Sequence, residues 1–175
     1  MSLYSIVVPV YNSEKTLEEL YTRIRDVFDH TMKENFELIL VDDSSRDNSY
    51  EVMEKLHKAD SRVKIIQMAK NFGQHPALLC GFSFAKGDFI ITMDDDLQHR
   101  PEEIPKMAAA INERDDVDVI IAKYENRKHN FIRKLGTKIS IYATSKMLNK
   151  DPNLEITSFR LMRRFIVEAI LNTNT

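Results

Sequence analysis

Residues 36–47 read FELILVDDSSRD, a nearly unbroken apolar run that ends in two adjacent aspartates. The pattern returns at residues 89–100, FIITMDDDLQHR, where the apolar run ends in three. Apolar runs of this length without alternation mark strands covered on both faces, as in a parallel sheet flanked by helices. SIVVPV (5–10), VKIIQM (63–68) and VDVIIA (117–122) read as buried strands in the same way.

Helical patterns separate these runs. Leu17, Leu20, Tyr21, Ile24, Val27 and Phe28 recur at helical spacing, and Thr16 with Glu19 has the form of a capping box. A second helix is expected over 49–58 with Val52, Met53 and Leu56 inward, and a third over 76–85, where Pro76 suits the first turn. A fourth begins near Pro101, with Glu102 and Glu103 at the positive end of its dipole. Repeated β-α-β units predict an α/β fold with a mainly parallel sheet and helices on both faces. Ligands of such sheets bind outside the carboxyl ends of the strands. YNSE, DDSSRD, AKNFGQH and DDDLQH are therefore expected to converge on one edge.

Beyond Lys123 the pattern changes. KYENRKHNFIRKLGTK (123–138) leads into an expected helix with Phe131, Leu135, Ile139 and Tyr142 on one face. NLEITSFRLMRRFIVEAIL (153–171) reads as a short strand or loop feeding a final helix. No repeat or Gly/Ser linker interrupts the 175 residues, of which 43% are hydrophobic, so a single domain over 1–175 is expected.

A formal net charge of −2 gives no overall attraction to nucleic acid. The distribution is uneven, with 14 Lys/Arg against 23 Asp/Glu in residues 1–122 and 11 against 4 in residues 123–175. A basic C-terminal section can meet phosphates or anionic lipid heads, or be a solvated face. One cysteine, Cys80, excludes an internal disulfide and points to a reducing, cytoplasmic setting with Cys80 as a small core residue. No basic leader with an apolar stretch precedes YSIVVPVYN, and no apolar run spans a bilayer, so neither a signal peptide nor a transmembrane segment is expected in this chain.

Aspartates at strand ends admit two readings. They either cap the helix that follows, with Ser44, Ser45 or Asp47 as candidates after the second strand, or they await a hard cation such as Mg²⁺ or Mn²⁺. If residues 94–96 stay extended, Asp94 and Asp96 point one way and can share an ion, while Asp95 points the other. Neither a G-x-x-x-x-G-K-[ST] nor a G-x-G-x-x-G loop is present, and glycines number four, so phosphates must be met by metal and basic side chains.

VVPVYNSE (7–14), VDDSSRD (41–47), AKNFGQHPAL (69–78) and GDFIITMDDDLQHRPEEIPKM (87–107), in that order, resemble the signatures of family 2 glycosyltransferases of the GT-A fold. The likeness is nearest to dolichol-phosphate mannosyltransferases and bacterial polyprenol-phosphate glycosyltransferases, and SFRLMRR (158–164) extends it more loosely. The resemblance implies that Pro9, Tyr11, Asn12 and Glu14, with Asp42 and Asp43, line the nucleoside pocket of a UDP- or GDP-sugar. It implies that Asp94 and Asp96 form the D-x-D motif for the divalent ion on the diphosphate, with Gln98 on the metal side. Lys70, Asn71, Gly73 and His75 fall beside the donor, Arg160 matches an arginine that approaches the diphosphate, and Asp95, Asp96 and Arg160 are the expected catalytic residues. Residues 1–123 would then bind the nucleotide sugar and 124–175 the acceptor.

Two departures matter. Relatives often carry an aspartate where Ser158 stands, and serine cannot act as a carboxylate base. A phosphate acceptor needs none, because a phosphomonoester is largely ionised at pH 7. The expected acceptor is therefore a polyprenyl or dolichyl phosphate at the cytoplasmic face of the membrane, facing Arg127, Lys128, Arg133, Lys134 and Lys138. Relatives also continue into amphipathic or transmembrane helices, so a C-terminally truncated catalytic piece is expected. Other readings are transfer to a saccharide hydroxyl, an aspartate-nucleophile phosphotransferase, and a nucleotide-sugar-binding or receiver-like module.

Overall fold

The apolar runs pair as a sheet. In this computed structural model, which describes residues 1–114, 116–122 and 157–173, β1 (Leu3–Val10) lies between β2 (Asn35–Asp42) and β4 (Phe89–Thr92), and β3 (Val63–Gln67) borders β2. These four strands are mutually parallel. β6 (Arg160–Arg163) joins β4 antiparallel, and β5 (Val119–Ile121) closes the edge antiparallel to β6, giving the order β3-β2-β1-β4-β6-β5. The β1–β2 register runs from Leu3 opposite Asn35 to Val10 opposite Asp42, and the Asp43 N–H still donates to the Val10 carbonyl at 2.8 Å. The loops after β1 and β2 thus leave the sheet side by side.

Both faces are covered, which explains why the strands read as unalternated apolar runs. Val7, Ile39, Val41, Ile90 and Met162 pack with Ala77 and Phe82 of α3 (Gln74–Phe84) and Val167 of α5 (Arg164–Thr173). α3 lies so close that a Cβ on Gly81 would stand 2.4 Å from Val7 Cγ1. The alternate residues Ile6, Val8, Leu38, Leu40, Ile91 and Leu161 are buried on the opposite face, with α1 (Leu17–Asp26), α2 (Ser49–Ala59) and α4 (Ile104–Asn112). There Tyr4 stacks on Phe89 at 5.1 Å, and Phe28, from a π-helical turn that prolongs α1, lies 4.9 Å from Phe36.

Several expectations need correction. VDVIIA yields only a three-residue strand with Val119 36% and Ile121 44% exposed, at the edge of the sheet formed by the described strands. Thr16 does not cap α1 through its side chain; its hydroxyl turns back to the Ser13 carbonyl at 3.1 Å. Cys80, on α3, is half-buried against the core cluster rather than within it, and burial pushes its thiol up. Met1–Ile121 with Ser158–Thr175 form one compact unit, to which the site below belongs. The expected helix with Phe131, Leu135, Ile139 and Tyr142, and the cations Arg127, Lys128, Arg133, Lys134 and Lys138, lie outside the described residues. No described helix is long and apolar enough to cross a membrane.

Candidate functional site

The chain reverses sharply just beyond the strands. Asn12, Ser44 and Leu97, in the loops after β1, β2 and β4, have φ of 56°, 61° and 61°, and Gly73 after β3 has φ 92°. Left-handed backbone at non-glycine residues costs free energy and persists only where the surroundings dictate it. The four turns bound a cleft of about 320 Å³ lined by Pro9, Val10, Tyr11, Asp43, Asn71, Gly73, Gln74, Asp94, Asp95 and Asp96. That is the small end of the range for ligand sites. Among the described residues, four carboxylates and no lysine or arginine border it.

The first acidic pair is structural in its contacts. Asp43, 3% exposed, accepts the N–H of Phe72 on Oδ1 and of Gly73 on Oδ2, each at 2.8 Å. Asp42 is wholly buried, with Oδ1 accepting from Ser45 N–H at 3.0 Å and Oδ2 from Gln67 Nε2 at 3.3 Å. Asp43 reaches the cleft wall; Asp42 lies behind it.

Asn12 and Glu14 cross-brace the loops after β1 and β2. Asn12 Oδ1 accepts from Arg46 N–H at 2.7 Å and Glu14 Oε2 from Asn48 N–H at 3.0 Å. In return Asp47 accepts the N–H groups of Glu14 and Ser49, at 3.1 and 3.0 Å. Burial alone would raise the Asp47 carboxyl, but the hydrogen bonds from Ser49 and Glu14 bring it below the usual range. The N-cap of α2 is Asn48, without a side-chain cap hydrogen bond, rather than Ser44, Ser45 or Asp47; Asp47 instead accepts the N–H of the first helical residue while also holding the neighbouring loop.

The three aspartates after β4 do not remain extended. β4 ends at Thr92, and all three carboxylates border the cleft. Asp95 is turned toward the first loop, its Oδ2 accepting from Tyr11 N–H at 3.1 Å and from the Ser13 hydroxyl. Burial pushes its carboxyl up, against the lowering effect of those donors. Asp94 receives Gln74 Nε2 on Oδ1 at 2.7 Å and the Ser158 hydroxyl on Oδ2 at 2.5 Å. Asp96 is exposed, and its one hydrogen bond among the described residues is from Gln98 N–H to Oδ1 at 3.0 Å. No three His, Cys, Asp or Glu side chains among the described residues form a closed metal cage. Asp94 and Asp96 are hard oxygen donors that leave most positions of an octahedral ion to water and phosphate, which is how Mg²⁺ and Mn²⁺ are commonly held. The donor set fits such an ion.

Pro9, Tyr11, Asp43, Asn71, Gly73, Asp94, Asp95 and Asp96 thus line the cleft as expected positions. Lys70, His75 and Gln98 are exposed and outside the lining, with Lys70 Nζ 4.9 Å from the Phe72 ring centroid. Arg160 opens β6 opposite Thr92. Gln74, Ser13 and His99 also touch these aspartates, and Ser158, in sequence only a missing base, donates to one of them. Gln74 lies within AKNFGQHPAL, but nothing local in the sequence marks its partner.

The sequence profile of glycosyl transferase family 2 matches residues 5–171. An uncharacterized glycosyltransferase of Bacillus subtilis is 38% identical over 95% of this chain and 51% of its own length. Undecaprenyl-phosphate 4-deoxy-4-formamido-L-arabinose transferases of Aeromonas hydrophila and Proteus mirabilis are 35% and 37% identical, over 98% and 95% of this chain and 52% and 51% of theirs. The chain therefore spans about half the length of the curated relatives it matches. Among solved structures, Mycobacterium tuberculosis glucosyl-3-phosphoglycerate synthase with UDP superposes with a TM-score of 0.68 at 19% identity, over 94% of this chain and 58% of that one. Staphylococcus aureus TarS does so with a TM-score of 0.66 at 24% identity, over 97% and 49%. The α/β sheet with its strand-end cleft is the fold of these GT-A enzymes, and the chain belongs to glycosyl transferase family 2.

Proposed function

We propose that the protein of which this chain is the catalytic part transfers a sugar from a nucleotide-diphosphate donor to a polyprenyl phosphate, inverting the anomeric carbon. The observation that carries this reading is the cleft with four aspartates at the strand ends, in a chain more than a third identical to relatives named for undecaprenyl phosphate. A diphosphate cannot approach four carboxylates unless a cation intervenes. A glucosyl-3-phosphoglycerate synthase of the same fold was solved with Mn²⁺ and UDP.

Tyr11, Asp43, Asn71 and Gly73 then meet the nucleoside end of a UDP- or GDP-sugar, with Pro9 beneath. Asn12, Glu14 and Asp42 act through the loops they hold. Asp94 and Asp96 hold a divalent ion, Mg²⁺ or Mn²⁺, with Gln98 fixing the Asp96 turn. When bound, that ion neutralises charge developing on the diphosphate leaving group. Lys70 and Arg160 supply positive charge that the described cleft wall lacks, and His75 lies beside the donor. Residues 1–123 serve the donor and residues 124–175 chiefly the acceptor, from which Ser158 and Arg160 return to the donor side. Ser158, which donates its hydroxyl proton to Asp94, is not a base, and an ionised phosphate acceptor requires none. Such an enzyme works at the cytoplasmic face of the membrane, where lipid phosphates are presented.

Calorimetric titration of this chain with UDP and GDP, with and without Mn²⁺, tests the donor reading; metal-independent or absent binding of both contradicts it. Transfer of labelled sugar by the full-length enzyme tests the acceptor. Turnover with a saccharide hydroxyl and none with undecaprenyl phosphate would overturn the lipid-phosphate assignment.

A further inference from the structure

Asp94 is held by side chains from two other parts of the fold. Gln74, the first residue of α3, donates to its Oδ1 at 2.7 Å, and Ser158, just ahead of β6, donates to its Oδ2 at 2.5 Å. Its own N–H donates to Nδ1 of His99 at 3.1 Å, and that ring is 3% exposed. The dipeptide Ser158–Phe159 grips the aspartate from two sides, because the Phe159 ring lies 5.2 Å from the His99 ring. Ser158 is itself held, since its carbonyl accepts the Thr92 hydroxyl at 2.5 Å.

An ionised carboxylate offers about four lone-pair directions on two oxygens. One on each oxygen is used here, leaving one on each for a ligand. With its plane fixed from α3 and β6, Asp94 has little rotamer freedom to lose when a cation arrives, which is the usual effect of partners that orient a metal-binding carboxylate. The neutral hydroxyl at position 158 does this without adding charge. A carboxylate in its place would face Asp94 across the same short distance and repel it until a proton or cation intervened.

We propose that Ser158, together with Gln74 and His99, is a positioning residue that presets Asp94 for the divalent cation. The proposal rests on the reading of the cleft as a donor and metal site given above. It assigns Ser158 a role unrelated to proton abstraction and Gln74 a role on the metal side.

Mn²⁺ is titrated in the presence of UDP into the unaltered chain and into Ser158→Ala, Ser158→Thr and Gln74→Ala, with free Mn²⁺ read by electron paramagnetic resonance. Metal-free thermal melts run in parallel. Ser158→Ala and Gln74→Ala should each weaken Mn²⁺ binding about 10-fold, with the metal-free melts unchanged and Ser158→Thr retaining the affinity. Unchanged Mn²⁺ affinity in both alanine variants overturns the proposal, as does a loss matched by lower metal-free stability in both or a loss that persists in Ser158→Thr. Gln74 is exposed, so its variant decides the matter if Ser158→Ala fails to fold. Absence of Mn²⁺ binding by the unaltered chain would overturn the cleft reading itself, and the proposal with it.

Discussion

Asp43 holds Gly73. The two carboxylate oxygens at the end of β2 accept the backbone N–H groups of Phe72 and Gly73, each at 2.8 Å, tying the turn after β3 to the cleft wall. Replacing Asp43 with Asn leaves one acceptor for two N–H groups and places an amide donor against the other. A loss of about 1–3 kcal/mol is expected from the unpaired buried group, read as a lower urea midpoint with an unchanged slope. Weaker UDP binding should accompany it.

Two glycines separate backbone strain from steric clash. At Gly73 (φ 92°) nothing lies within 4 Å of an added Cβ, so Gly73→Ala should cost about 1–3 kcal/mol through strain alone. At Gly81 the Cβ would stand 2.4 Å from Val7 Cγ1 and 3.1 Å from Val41 Cγ2. Gly81→Ala should therefore cost about 1–3 kcal/mol by overpacking, and the added truncation Val7→Ala should offset part of that cost. The same truncation should give Gly73→Ala no relief in parallel denaturation curves.

Asp96→Asn preserves an acceptor for the Gln98 N–H and removes a negative charge from an exposed side chain. Its stability should stay within about 0.5 kcal/mol of the unaltered chain. The Mn²⁺-dependent part of UDP binding should disappear in calorimetry, and undiminished metal-dependent affinity would remove Asp96 from the metal site.

Stability should fall in acid through Asp60. Hydrogen bonds from Arg62 hold its carboxyl at about 2, below the usual range. A carboxyl lowered on folding stabilises the protein above the unfolded-state value near 3.8, and that contribution vanishes as pH falls from about 4 to about 2. The Arg62 side chain is 36% exposed, so solvent screening reduces the contribution to about 1 kcal/mol. Asp60→Asn should lose that amount at pH 7 and approach the unaltered chain as pH falls through about 2 in urea titrations; a constant difference across that range would exclude the linkage.

Much of the fold was legible because strand identity is a local property. FELILV and FIITM are apolar on both alternating sets of side chains, and only a sheet covered on both faces buries both. The place of β5 was not legible, because VDVIIA has the composition of an interior strand and only the order of the described strands puts it at their edge. Thr16 likewise had the local form of a cap, yet its hydroxyl found the Ser13 carbonyl instead.

The sequence by itself determined that acidic residues emerge at the carboxyl ends of parallel strands, since the end of each apolar run marks where the chain leaves the core. Only the tertiary structure decided what each carboxylate does there. Asp43 latches a turn, Asp95 joins the loop after β1, Asp94 is held by Gln74 and Ser158, and Asp96 stays exposed. The reason is physical distance along the chain: Tyr11 and Asp95 are 84 residues apart, and Ser158 and Asp94 are 64 apart. Periodicity places a side chain on a face of its own element, whereas a hydrogen-bond partner contributed by another strand exists only once the sheet has assembled.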